Sequence, residues 1–203
     1  KVALELAPDD EQRRRLAGDV VEMERMVAEL LELERLRSGQ GLQVARHDVV
    51  AIVREVAAEF EGRPPGVHID AGVGEVALDV DADKMRMVVR NLLENAIKYS
   101  TPESAPVEVS VRGAGENVTV RVADDGVGIP EQEMERVFEP FVRVDLSRSK
   151  VTGGYGLGLS ICKRVMEAHG GRIAIERRGG GGLGRVFVLT VPKQGRVGAD
   201  PPP

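Results

Sequence analysis

Two periods divide this chain. Over residues 81–100 apolar side chains return every three or four positions, so Met85, Val88, Val89, Leu92, Ala96 and Tyr99 share one face of a predicted helix. Asn91, Asn95 and Lys98 stack on the polar face beside it, and Asp81 is placed to cap its start. The same period runs over residues 8–37, where Leu16, Val20, Met23, Val27, Leu30 and Leu31 form a stripe with Met26 and Leu33 on its flank. Ser38-Gly39 supplies the stop. It returns over residues 47–60, with Val49, Val50, Val53, Val56, Ala57 and Phe60 inward, and over the shorter stretches 130–138 and 156–169. Strict alternation, the period of a half-buried strand, marks residues 67–71, 76–80, 107–112, 117–124, 172–177 and 185–191, with a further short strand expected at 40–46. Gly113-Ala114-Gly115 joins two of these runs as a hairpin, and the glycines of 179–184 read as another turn.

Interleaved helices and strands that end in antiparallel pairs predict an α/β (α+β) two-layer sandwich, a mixed sheet with helices on one face. The long first helix stands apart, because its stripe needs a partner: a preceding helix, a second copy of the chain, or its own domain folded beneath it. Lys1 in place of an initiator Met suggests a fragment of a longer protein. Residues 194–203, ending in three prolines, carry no core and are expected to be disordered.

Composition changes this picture in three ways. Aromatics are 3% of the chain and Trp is absent, so the core must be aliphatic. A formal charge of -5 with basic and acidic residues interspersed argues against nucleic-acid binding. Cys162 is the single cysteine, which excludes an internal disulfide, suits a reducing, cytoplasmic setting, and marks a small core residue. No apolar run reaches membrane-spanning length, so no membrane contact is expected of this segment, although the parent protein could be anchored in an inner membrane.

The chemistry gathers on loops and on one helix. Amide oxygens at Asn91 and Asn95 are neutral hard donors of the kind magnesium accepts, and the Lys98 ammonium can meet phosphate charge; an amphipathic helix facing water explains the same stretch equally well. Asp124-Asp125-Gly126-Val127-Gly128-Ile129 follows a strand directly, and Gly154-Tyr155-Gly156-Leu157-Gly158-Leu159 opens a helix. Either glycine pattern alone is more simply a tight turn. Between them residues 139–154 are long, polar and basic, as lids are.

In this order the motifs resemble the Bergerat ATP-binding fold of two-component sensor histidine kinases. Residues 91–100 are similar to the N box and 124–129 to the first glycine box. Phe138-Glu139-Pro140-Phe141 with Arg143 is similar to the F box, and residues 154–159 to the second glycine box. Residues 22–39 resemble the second helix of the family's dimerisation domain. The resemblance implies a dimerisation and histidine-phosphotransfer remnant at residues 1–39 and a catalytic domain at 40–193. It further implies that Asn95, helped by Asn91, ligates magnesium, that Lys98 meets phosphate and that Tyr99 lies against the nucleotide. Asp124 would accept from the adenine amino group, which favours ATP over GTP. Gly126 and Gly128, with Ile129, would let the backbone approach the base. Gly154, Gly156 and Gly158, with the backbones of Leu157 and Leu159, would present amides to phosphate. Arg143 and Lys150, and less clearly Arg148, would be cations of the lid, with Phe138 and Phe141 anchoring it.

The implied activity is transfer of the ATP γ-phosphoryl group to a histidine, then to an aspartate of a response regulator, by a homodimer paired through its dimerisation helices. None of His47, His68 and His169 has the context of an acceptor, which is expected upstream of Lys1. Tyr155 replaces a smaller residue of the family pattern, and its bulk either caps the nucleotide or occludes the phosphate path. Asn91 stands where related ATPases carry a glutamate general base, so simple hydrolysis should be slow. The alternatives are a non-catalytic nucleotide-binding scaffold and an anti-sigma-type serine kinase; the helix over 22–39 argues against the second.

Overall fold

The computed structural model describes residues 10–38, 42–70, 72, 74–101, 103–144, 155–179 and 183–193. The expected elements are present, in a two-layer arrangement. Five strands form the main sheet in the order β2 (Val67–Asp70), β4 (Val107–Ala114), β5 (Asn117–Ala123), β7 (Arg185–Pro192) and β6 (Arg172–Arg177). β2 runs parallel to β4, and every other pairing is antiparallel. A separate two-stranded ladder joins β1 (Ala45–Asp48) to β3 (Ala77–Val80). The short first strand therefore begins later than residue 40 and extends to Asp48, which then caps the next helix.

Three helices cover the sheet. Asp48 Oδ1 accepts from the Val50 N–H at 3.0 Å and from the Val76 N–H at 2.9 Å, so one carboxylate starts α2 (Val49–Ala58) and fixes the approach to β3. Asp81 does the same for α3 (Ala82–Tyr99): Oδ1 accepts from the Lys84 N–H at 3.1 Å and Oδ2 from the Gln43 N–H at 2.7 Å. The stripe predicted for α3 is the centre of the core except at Tyr99, which is exposed at the helix end, while Leu93 joins the buried face. Met85, Val88, Val89, Leu92, Leu93 and Ala96 are buried between α2, α4 (Gly158–Ala168) and the inner face of β5, whose Val118, Val120 and Val122 alternate with half-exposed residues. Arg86 and Arg90 on α3 pair with Glu55 and Glu59 in the α2 segment, but exposed pairs of this kind are screened by solvent and contribute little. Fully burying one leucine contributes about 1.5–3 kcal/mol, so packing decides how the helices sit.

Two local expectations need correction. Residues 130–138 form two 3₁₀ turns, Glu131–Glu133 and Arg136–Phe138, rather than one helix. With Val137 and Phe138 as the buried residues of those turns, the segment lacks the repeated stripe that would sustain an α-helix. The hairpin between β4 and β5 turns at Gly115-Glu116, one residue later than read, because Gly115 takes the positive φ of +54°.

The first helix, α1 (Asp10–Arg37), lies against α4. Its contact face is the flank of the predicted stripe. Leu33 and Leu36 are buried in the main core, Met26 and Leu30 pack beside them, and Glu32 pairs with Lys84 at 2.6 Å with both side chains largely covered. The stripe itself faces outward: Leu16, Val20, Met23, Val27 and Leu31 are each more than half exposed. Of the predicted stripe residues Leu30 alone turns inward. The helical period located the apolar positions, but two adjoining ridges on one rod cannot both meet a single domain.

Candidate functional site

The cleft between α3, the start of α4 and the ends of β5 and β7 encloses about 270 Å³. Its walls bring together Asn91, Asn95, Lys98, Tyr99, Asp124, Gly128, Ile129, Arg143, Tyr155, Gly156, Leu157, Gly158 and Leu159. Residues separated by as much as 68 positions thus meet as the motif order implied. Lys150, Gly154 and Arg148 lie outside the described residues.

One end is built on Asp124, which stands where β5 stops. Its backbone N–H donates to the Arg185 carbonyl at 2.9 Å, and its Oδ1 accepts from the Gly126 N–H at 2.9 Å. The side chain is buried, and burial pushes its pKa up, opposed by the backbone N–H groups of Gly126 and Arg185 and then by the positive charges of Arg178 and Arg185. The loop that follows is close-packed: a Cβ at Gly126 would come within 2.6 Å of the Tyr99 carbonyl, and one at Gly128, where φ is +76°, within 2.1 Å of the Leu183 carbonyl. Glycine is required at both.

The other end is amide-rich. Asn91 and Asn95, one helical turn apart on α3, face the cleft beside Lys98, whose Nζ sits 5.1 Å from the Tyr99 ring centroid. α4 opens at Gly158, and among the described residues no side chain caps its first N–H groups, the arrangement that receives anions. A Cβ at Gly158 would lie 2.2 Å from Asn91 Oδ1, so the absent side chain is what brings the helix N-terminus and the amide oxygen together. Gly156, at φ +75°, lies under the lid segment: its carbonyl accepts from the Phe141 N–H at 3.0 Å. Phe138 is buried as expected of an anchor, but Phe141 is 58% exposed at φ +66°, so the backbone of Phe141, not its ring, ties this segment down. Tyr155 is half-buried against the core and on the cleft wall.

Several cleft residues carried no expectation. Arg185 opens β7, and a charge at the head of an otherwise apolar strand was the available signal. Arg25 and Glu29 reach the cleft from α1, paired at 3.5 Å, and burial raises the Glu29 pKa. Nothing in the α1 pattern distinguished them from solvated helix charges. Cys162 is fully buried with its thiol pushed up to about 12, consistent with a core role. His68 is exposed, His47 half-buried and His169 buried, all away from the cleft lining. Among the described residues no three His, Cys, Asp or Glu side chains cluster as a metal site, so a cation here would depend on amide and ligand oxygens.

The fold and cleft define an ATP-binding domain of the family described as "Histidine kinase-, DNA gyrase B-, and HSP90-like ATPase", whose pattern matches residues 80–195; the chain belongs to that family. Within it, several relatives carry the names of sensor kinases. The Sensor-like histidine kinase SenX3 of Mycolicibacterium smegmatis is 37% identical over 196 residues, covering 92% of this chain and 50% of that protein. The chain thus spans about half the length of this curated relative. The nucleotide-free catalytic domain of histidine kinase ThkA superposes with a TM-score of 0.65 at 28% identity, covering 75% of this chain and 97% of that one. ShkA, solved full-length in complex with AMPPNP, superposes at 0.72 with 26% identity, over 96% of this chain and 41% of that one.

Proposed function

We propose that this chain is the ATP-binding catalytic part of a two-component sensor histidine kinase, which passes the γ-phosphoryl group of ATP to a histidine outside these residues and thence to a response-regulator aspartate. The observation that carries this reading is the meeting of Asn91 Oδ1 with the uncapped start of α4, in the cleft that Asp124 closes at its far end. A triphosphate needs cation and amide donors at one end, and an adenine needs an acceptor at the other. AMPPNP in the ShkA structure is in keeping with this.

The residues present fit magnesium. Asn95, with Asn91, would hold the ion through neutral oxygens on the cleft wall, Asn91 Oδ1 lying against the start of α4 because residue 158 has no side chain. Bound there, magnesium would neutralise part of the triphosphate charge. Lys98 and Arg143 line the same end and place positive charge where phosphate oxygens would lie, stabilising charge as the phosphoryl group leaves. Lys150 and the Gly154 amide belong to the same proposal. With Asn91 in place of a carboxylate base, the cleft holds no group at that position to activate water, which preserves the phosphoryl group for transfer. Residues 1–39 are read as part of a dimerisation domain, pairing two copies in the cytoplasm.

The test is a titration with magnesium and a fluorescent ATP analogue, beside Asn95→Ala and with GTP as competitor. Saturable binding that Asn95→Ala weakens at least tenfold and GTP does not displace is expected. A folded chain that binds no ATP overturns the proposal.

A further inference from the structure

One end of the main sheet, beneath the base-binding end of the cleft, gathers two arginines around a single buried carboxylate. Asp124 ends β5, Arg185 begins β7 opposite it, and Arg178 follows β6. Arg178 reaches Glu108 on β4 at 2.9 Å although β7 and β5 lie between, and its Nη1 is buried without a hydrogen-bond partner. Arg185 is 9% exposed and, among the described residues, has no carboxylate as a hydrogen-bond partner. Its donors all go to carbonyls: Nε to Ile129 at 2.9 Å, Nη2 to the same oxygen, Nη1 to Leu183 at 2.5 Å and to Gly184 at 3.0 Å. These carbonyls belong to two different segments. Ile129 closes the loop that runs from Asp124, and Leu183 and Gly184 form a strap leading into β7.

The two segments interleave with no room to spare. A Cβ at Gly128 would meet the Leu183 carbonyl, and one at Gly184 would lie 2.1 Å from the Asp124 carbonyl. The Ile129, Leu183 and Gly184 carbonyls converge on one point, where they would repel one another without a donor among them, and the guanidinium is that donor. A guanidinium offers five N–H groups in a rigid plane, enough to serve three carbonyls at once; an ammonium on a shorter reach cannot match that plane.

We propose that Arg185 is the positioning residue of the adenine subsite, stapling the 183–185 strap to the 124–129 loop and so setting the slot in which Asp124 would meet an exocyclic amine. This rests on the nucleotide reading of the cleft. The staple fixes where the Ile129 backbone stands, and hence the width of the slot above Asp124. Burial raises the Asp124 pKa, and the backbone N–H groups of Gly126 and Arg185 oppose it first, followed by the charges of Arg178 and of Arg185 itself. The remaining charged groups on the cleft wall are Lys98 and Glu94 on α3, Arg143 on the lid, and Arg25 and Glu29 on α1. A protonated Asp124 could not discriminate an amino group from a carbonyl, so Arg185 bears on the choice between adenine and guanine without having to touch the base.

The experiment compares the full chain with Arg185→Met, Arg185→Lys and Asp124→Asn, measuring ATP affinity, ATP against GTP competition, and the acid limb of the pH profile of binding. Arg185→Met is expected to weaken ATP at least tenfold, to narrow the preference over GTP, and to move the acid limb to higher pH. Arg185→Lys is expected to keep the acid limb while losing affinity, because charge survives and the staple does not. Unchanged affinity, preference and acid limb in a folded Arg185→Met chain overturn the proposal. An equal loss for both nucleotides with an unmoved acid limb also overturns it, reducing Arg185 to a fold-stabilising residue. Should Arg185→Met not fold, Arg185→Lys and Arg185→Gln carry the same comparison. A wild-type chain that binds no ATP removes the nucleotide reading itself. Wild-type binding abolished by Asp124→Asn but indifferent to Arg185 removes this inference alone.

Discussion

His169 offers the sharpest stability test, because it joins two helices through bonds that can be counted. Its Nε2 accepts from the backbone N–H of Asp81 at 3.0 Å, which requires the Nδ1–H tautomer, and Nδ1–H donates to the Val165 carbonyl at 2.7 Å. The ring is 4% exposed. His169→Ala leaves the buried Asp81 N–H without an acceptor, a cost of about 1–3 kcal/mol, and removes a second bond worth about 0.5–1.5 kcal/mol. The Val165 carbonyl keeps the His169 N–H, so the sum expected is about 2–4 kcal/mol. For a chain of this size that lowers Tm by about 5–15 °C. The pH dependence separates this bond from simple packing. Burial holds the His169 pKa below its ordinary value, so the unfolded chain binds the proton more readily than the folded one. The contribution of neutral His169 is therefore complete above the unfolded pKa, about 6.5, and is lost as pH falls from there toward the depressed folded value. Urea unfolding at pH 7.5 and pH 5.5 should show wild type losing more stability on acidification than His169→Gln. Equal losses, or a cost below about 1 kcal/mol in His169→Ala, would refute the assigned tautomer and its bond to Asp81.

Glycine substitutions distinguish conformational strain from collision. Gly62→Ala, at φ +74° in open space, should cost about 1–2 kcal/mol of stability, whereas Gly128→Ala adds a clash with the Leu183 carbonyl and should also abolish ATP-analogue binding. Calorimetry and titration on both variants check this. Lys84→Met should destabilise the chain by about 1–3 kcal/mol in chemical denaturation by leaving Glu32 largely covered and unpaired, and Glu32→Gln on the same background should recover part of that loss. With its thiol at about 12 and no exposed surface, Cys162 should resist a thiol reagent at pH 8 in the native chain and react fully in denaturant.

Much of the fold was legible because its signals are local. The α3 stripe and the Asp81 cap lie within one helix, and strand alternation needs no knowledge of neighbours, so element types emerged correctly except over 130–138, and boundaries moved by a few residues. The cleft was legible through the order of its motifs, since spacing alone left an amphipathic helix and two ordinary turns as adequate explanations. What escaped depends on distant contacts. The Arg185 guanidinium takes its meaning from the Ile129 carbonyl, 56 positions away, and Asn91 Oδ1 gains its place from an absent side chain at Gly158. The packing face of α1 escaped for a different reason: Met26, Leu30, Leu33 and Leu36 are as apolar as the outward stripe, and only the surface offered by α4 chooses between them.

The geometry of α1 has a mechanical consequence. At 1.5 Å per residue, the arm from Asp10 to Arg25 projects roughly 24 Å beyond the stretch gripped at Met26, Glu32, Leu33 and Leu36, while Arg25 and Glu29 sit near that grip, on the rim of the cleft. A stiff rod held near one end is a lever with unequal arms. Tilting it by about 10° would carry the tip some 4 Å but shift the rim residues by well under 1 Å. Coarse displacement at the far end thus arrives at the cleft as fine adjustment.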